Sequence, residues 1–333
     1  MPNTIRNLIL IALGANVLAA EAISLPQPVP SPSAPIAVRP ALPIERIVQH
    51  WRHDVTAPRL AALPQRGRAL NDAAIALCEK TTQERLDTAR LRWIDAFLAW
   101  RAADVLPLDP ALQQQADPGP VESPKLETAI RTSEDQWDPM NPPSTAGLRA
   151  IEFLYWGNDQ PKAQQGRLVF RRRCSYSALL AGKLARELDN AGARPPASAS
   201  EYLQRFSAGI GQIMQSRLPG TGKDGKVSGE YDAWRSKQTK AAMQAGLATL
   251  ESAFAEPAKN GISLIDALNE AGQKPLAEQL AQALNAARRE VDALPSDSNT
   301  LPRDGARLTG LNGALSQLQK LIDGPLSEAL ARR

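Results

Sequence analysis

Residues 147–157 read Gly-Leu-Arg-Ala-Ile-Glu-Phe-Leu-Tyr-Trp-Gly. Leu148, Ile151 and Tyr155 recur at three- and four-residue spacing, which is one face of a helix. Glu152 lies four residues after Leu148, so the pattern puts this carboxylate at the edge of the buried side, where it needs a partner. Arg149, three residues earlier on the same face, is the economical one. Gly157 ends the run. Upstream, Pro139, Pro142 and Pro143 stop whatever precedes it, and Ser144 or Thr145 is placed to cap the helix.

Outward from this stretch the pattern stays helical. Ala, Leu, Gln, Arg and Glu dominate and β-branched runs are absent. Ile44 to Cys78 reads as one long helix, kinked at Pro58 or Pro64. Gln83 to Val105 reads as a second, with Leu86, Arg90, Trp93, Phe97, Trp100 and Asp104 on one face. Glu122 to Trp137 is a third. Ala163 to Ala191 is a long helix closed by Gly192. Ala199 to Leu218, Glu230 to Ala255, Ile262 to Ala271, Lys274 to Leu294 and Asp304 to Ile322 follow. The fold expected is all-α, as two packed helical bundles over residues 44–194 and 195–333, divided at Pro195-Pro196. Pro219 to Gly229, with four glycines, is a loop. Its Gly220-Thr221-Gly222-Lys223 lacks both the Walker spacing and a preceding strand.

The first 43 residues are of another kind. Arg6 followed by the apolar run Leu8 to Leu18 and the small-residue site Ala20-Glu21-Ala22 has the layout of a secretory signal over residues 1–22. The apolar run falls short of the roughly 20 residues of a membrane span, although an uncleaved anchor is the alternative. No cysteine near the cut offers a lipid attachment site. Residues 23–43 carry seven prolines between Leu25 and Pro43, a linker composition that excludes helix and sheet. A periplasmic location follows as the expectation.

The net charge of +4 is mild, and no nucleic-acid motif accompanies it; Arg171-Arg172-Arg173 is the one tight basic run, read as a solvated face or a phosphate contact. Two cysteines, Cys78 and Cys174, either close as a disulfide in an oxidising compartment or stay as buried thiols. The two histidines, His50 and His53, stand three apart on the first helix, a spacing that suits one metal ion or a solvated, capping role. There is no HExxH, no EF-hand loop and no nucleophile elbow around a serine.

The run from Gly147 to Gly157 resembles the signature helix of the imelysin-like family, bacterial envelope proteins linked to iron uptake, one branch of which is classed as peptidases. The family pattern is Gly-x-His-x-x-Glu. Gly147 and Glu152 match it, and Arg149 occupies the histidine position. Two further segments resemble the family: Glu230 to Ser236, with its Arg235-Ser236 pair, and the Trp-rich helix Trp93 to Asp104, whose Asp104 matches an acidic residue facing the site. The resemblance covers residues 44–333. It implies a ligand-binding set of Gly147, Arg149, Glu152, Asp104, Arg235 and Ser236 around an inter-bundle cleft, and a Cys78–Cys174 disulfide. It also implies envelope iron-transport components as partners; peripheral membrane association is a further expectation.

The substitution at position 149 bears on chemistry. A neutral imidazole ligates a metal, whereas a guanidinium is always charged and only donates. No catalytic residue is therefore assigned. Iron or another divalent metal is expected to bind weakly at most. The leading expectation is a non-catalytic periplasmic binding or accessory protein of iron uptake. A metallopeptidase, or a helical scaffold for a membrane-bound partner, is the alternative. Metal titration and a protease assay separate them.

Overall fold

Segments rich in Ala, Leu, Arg and Gln form most of the helices. The computed structural model describes residues 41–331, apart from 107, 133, 138–142, 159–162, 192–195, 197, 222–226, 258–261 and 297–304. The signal segment, nearly all of the linker, and Gly192 and Pro195 at the expected boundary lie outside the described residues.

The helices are α1 (Ile44–His50), α2 (Ala57–Glu79), α3 (Gln83–Ala103), α4 (Pro110–Ala116), α5 (Ser123–Arg131), α6 (Gly147–Trp156), α7 (Ala163–Leu168), α8 (Arg171–Asp189), α9 (Ala199–Gln212), α10 (Thr239–Phe254), α11 (Leu264–Glu270), α12 (Lys274–Asp292), α13 (Gly305–Leu321) and α14 (Ser327–Ala331). The fold is all-α. Among the described residues the sole sheet is a two-residue pairing of β1 (Gly220–Thr221) with β2 (Val227–Ser228).

Proline shapes the long helices without ending them. Between α1 and α2 the chain widens into a π-turn, Trp51–Thr56, just before Pro58. A proline ring clashes with the carbonyl four residues back and has no N–H to offer it, and a π-turn relieves both problems. A second π-turn, Ile322–Leu326, surrounds Pro325. Pro64 is accommodated inside α2.

Several boundaries differ from the sequence reading. The segment Ala163 to Ala191 is two helices, broken at Val169–Phe170. The third helix stops at Arg131. The segment expected to begin a helix at Glu230 is a turn up to Gln238, and α10 starts only at Thr239. α4 is a helix between Val105 and Glu122, where the sequence reading placed none: Asp109 caps it and Pro110 occupies its first turn, the place where a missing N–H costs nothing. α6 is preceded by Ala146, which provides no side-chain cap; Ser144 and Thr145 instead belong to a 3₁₀ turn.

The buried side chains form two apolar cores. One is drawn from Leu63 through Ala191, with Ala233 and Ala242 added. The other takes residues 199–330 together with Leu42 to Val55, Val105 and Leu106. The second core is built on aromatic packing of Trp51 against Tyr202, Phe206 and Phe254, with the Trp51 indole N–H donating to the Ala253 carbonyl. Helix α2 packs against both α3 and α8, and α3 also packs on α10. Cys78 and Cys174 are disulfide-bonded, joining the end of α2 to the first turn of α8.

Candidate functional site

α6 is buried along its length, from Gly147 to Tyr155. It is mounted on α3 at both ends. The Trp93 indole donates to the Leu148 carbonyl at 2.8 Å, and the Arg90 guanidinium donates twice to the Tyr155 carbonyl. Gly147 has φ +72°, and a Cβ there would come within 2.6 Å of the Ala116 carbonyl oxygen and of Pro118 Cδ. Only glycine accepts that conformation and that proximity. The glycine thus lets the end of α4 press against the start of α6, which brings Asp117 to Arg149.

At this junction six charged side chains converge. α3 supplies Arg101 and, at its C-cap, Asp104; α4 ends in Asp117; α6 supplies Arg149. The π-turn after α9 (Ile213–Arg217) supplies Arg217, and the turn before α10 supplies Asp232. Arg101 reaches three carboxylates: Asp104 at 2.8 Å, Asp117 at 2.7 Å and Asp232 at 2.8 Å. Arg149 Nε lies 2.9 Å from Asp117 and 3.3 Å from Asp232. Arg217 pairs with Asp104. Three guanidinium groups balance three carboxylates, so this interior cluster carries no net charge, the condition under which buried ions are tolerable.

The protonation chemistry follows. Burial alone would depress the Arg101 guanidinium, but Asp117, Asp232 and Asp104 together outweigh it and hold the proton more tightly than usual. For Arg149, Asp232 and Asp117 likewise overcome burial and raise its pKa. Burial would push Asp117 up, yet Arg101 and Arg149 bring it well below the usual carboxylate range. Arg217 is lowered, since burial exceeds what Asp104 returns and Arg101 adds repulsion.

Glu152 is 1 % exposed and stands apart from this network. Ser236 donates to its Oε1 from both backbone N–H and Oγ, each at 2.8 Å. Burial pushes the carboxyl up to about 7, with Arg235 and the Ser236 bonds opposing. The same bond explains why residues 230–238 are not helical. Ser236 N–H serves a carboxylate instead of a helical carbonyl, and the turn is completed with Ala233 and Lys237 at positive φ. Arg235 lies over the Trp234 ring at 4.6 Å and the Phe153 ring at 5.5 Å, and donates to Asn158.

Two clefts open here. One, of about 390 Å³, is bounded by Trp100, Asp117, Arg149 and several glutamines. The other, of about 380 Å³, is bounded by Glu152, Asp232, Trp234 and Arg235. Arg149 and Gln215 line both, so the guanidinium forms part of the wall between them.

Of the residues expected at the site, Glu152, Arg235 and Ser236 stand together, while Arg149 and Asp104 share the adjoining ionic cluster and Gly147 sets the approach of α4. Arg149 turns to Asp117 and Asp232, and Glu152 is held by Ser236, so the Arg149–Glu152 pair expected from their spacing gives way to acids brought from other elements. Arg101, Asp117, Arg217 and Asp232 were not among the expected site residues. Asp117 and Arg217 each lie beside a proline-bounded break, Asp117 before Pro118 and Arg217 before Leu218-Pro219. The histidines lie elsewhere: His53 is exposed, and both ring nitrogens of buried His50 face acceptors, Asp54 and the Ser252 carbonyl. Among the described residues no three His, Cys, Asp or Glu side chains form a metal-holding group.

Residues 56–323 match the family model described as imelysin (peptidase M75). No curated protein matches the sequence. Among solved structures, the chain is similar to an imelysin-like protein from Psychrobacter arcticum 273-4, at 20 % identity and a TM-score of 0.65, covering 88 % of this chain and 99 % of that one. It is also similar to a putative iron-regulated protein A precursor from Parabacteroides distasonis ATCC 8503, at 9 % identity and a TM-score of 0.68, covering 86 % and 94 % respectively. At these identities the likeness is one of fold.

Proposed function

The chain belongs to the imelysin family, and we propose that it serves as a non-catalytic binding or accessory protein of iron uptake in the periplasm. The observation that carries this reading is the engagement of Arg149 with Asp117 and Asp232. A histidine at this position would offer a lone pair to a metal. The guanidinium offers none, and it occupies the carboxylates that would complete a ligand set. Glu152, the remaining acid of the motif, already accepts two hydrogen bonds from Ser236. The residues present therefore do not fit a catalytic metal ion.

The paired clefts support binding instead. Their floor is charged but internally neutralised, a surface suited to hydrogen-bonding contact without attraction for a bare cation. The link to iron rests on the family and on the name of the Parabacteroides relative. The location rests on Arg6, the apolar run Leu8 to Leu18 and the small-residue site that follows. The test pairs a growth experiment with an assay. A deletion strain should grow poorly under iron chelation and be restored by the wild-type chain, while the purified protein should leave casein intact. Casein cleavage that disappears in Glu152→Ala would replace this reading with the peptidase one.

A further inference from the structure

The basic run Arg171-Arg172-Arg173 takes no part in the clefts, and the structure divides its members. Arg173 is buried; its Nη1 donates to both oxygens of Glu127, at 2.6 and 2.8 Å, and it lies over the Phe153 ring. That is a structural role. Arg171 and Arg172 are exposed. Arg172 donates to the Arg131 carbonyl at the end of α5, which draws a third exposed arginine into the same neighbourhood. Among the described residues neither Arg167 nor Arg171 has an ion-pair partner.

Between these cations stands the most exposed apolar pair of the described surface. Val169 is 65 % exposed and Phe170 73 %. They occupy the turn where α7 and α8 separate. The backbone there is satisfied without burying either side chain: the Phe170 carbonyl accepts from Arg173 and Cys174 N–H, and Phe170 N–H donates to the Arg167 carbonyl. The Cys78–Cys174 bridge fixes the first turn of α8 against α2, so the turn is presented from a firm base. Single exposed apolar residues are ordinary. An adjacent pair with an aromatic at its tip, ringed by arginines, matches instead the composition of a bilayer interface, where apolar side chains enter the headgroup layer and cations meet lipid phosphates.

We propose that the Val169–Phe170 turn, with Arg167, Arg171 and Arg172, is a docking surface for an anionic phospholipid bilayer. Phe170 enters the headgroup region and the arginines contact phosphate. No described helix is long and apolar enough to cross a membrane, so this contact is peripheral. It is independent of the clefts and of the proposed role in iron uptake.

The experiment is sedimentation of the full-length protein with vesicles of phosphatidylglycerol and phosphatidylcholine, against phosphatidylcholine alone. Phe170→Ser should weaken partitioning onto the anionic vesicles about tenfold. The pair Arg167→Ser and Arg171→Ser should weaken it about 25-fold, at about fivefold per arginine, and should remove most of its salt sensitivity. Phe170→Leu should keep the wild-type affinity. Because these side chains are exposed, the thermal melts of the variants should match wild type. Three results would overturn the proposal: equal binding to both vesicle types, binding that is the same in all variants and so arises from another segment, or loss on arginine substitution alone, with heparin competing and Phe170 indifferent, which marks a polyanion contact.

Discussion

Replacing Glu152 by Gln should stabilise the protein by a margin that grows as pH rises. In the unfolded chain a glutamate ionises near 4.5, whereas burial holds the Glu152 carboxyl protonated up to about 7. Between those values folding takes up a proton, so the wild type loses stability with each increment of pH and levels off once the folded carboxyl is ionised. The interval corresponds to about 3 kcal/mol at the plateau. Glutamine keeps an oxygen to accept from Ser236 and removes the charge that must otherwise be buried. The two proteins should therefore melt together near pH 4.5. By pH 8 the Glu152→Gln variant should lead by about 3 kcal/mol, or roughly 5 °C for a chain of this size. Thermal unfolding followed by circular dichroism from pH 4.5 to 8.5 is the assay. A lead that stays constant or shrinks as pH rises would mean that Glu152 ionises like a surface acid, and the reasoning from burial would fail.

Arg101→Met should cost about 3–5 kcal/mol in urea unfolding, because it leaves Asp104, Asp117 and Asp232 facing only two guanidinium groups; a loss under 1 kcal/mol would show that the cluster is not a closed ionic unit. Gly147→Ala should cost at least about 1–3 kcal/mol from its positive φ alone, with the overlap at Ala116 and Pro118 added, and should raise the protease sensitivity of the α4 region; an unchanged melt would contradict the described approach. The double variant Cys78→Ala and Cys174→Ala opens a link between positions 96 apart and should lower stability by up to about 4–5 kcal/mol in the chain-entropy model, read as a fall in the melting temperature that reductant reproduces in wild type.

Much of this architecture is legible in the residues. Of the three-or-four spacing from Leu86 to Asp104, Leu86, Trp93, Phe97, Trp100 and Asp104 are buried, and Leu148, Ile151 and Tyr155 are buried in α6. What escapes a linear reading is what other elements do to a segment. Helix periodicity runs through Val169–Phe170, yet the chain breaks there. Residues 230–238 have helical composition, but the Glu152 carboxylate competes for the N–H of Ser236 and wins. The candidate site divides in the same way. Glu152, Arg149 and Asp104 are marked by spacing and resemblance, and the Arg235-Ser236 pair by resemblance alone. Asp117 and Arg217 acquire meaning only once α4 and the π-turn after α9 meet α3 and α6, because an ion network has no sequence period.

The most direct test of the account is calorimetric titration of ferrous iron and of zinc into the wild-type protein and Arg149→His. With Arg149 occupying Asp117 and Asp232, the wild type should give weak or no heat of binding. Arg149→His restores the Gly-x-His-x-x-Glu pattern, releases Oδ1 of Asp117 and of Asp232 while Arg101 keeps their other oxygens, and should bind measurably more tightly. Tight binding by the wild type that is lost in Glu152→Ala would contradict the central claim and return the chain to the metallopeptidase reading.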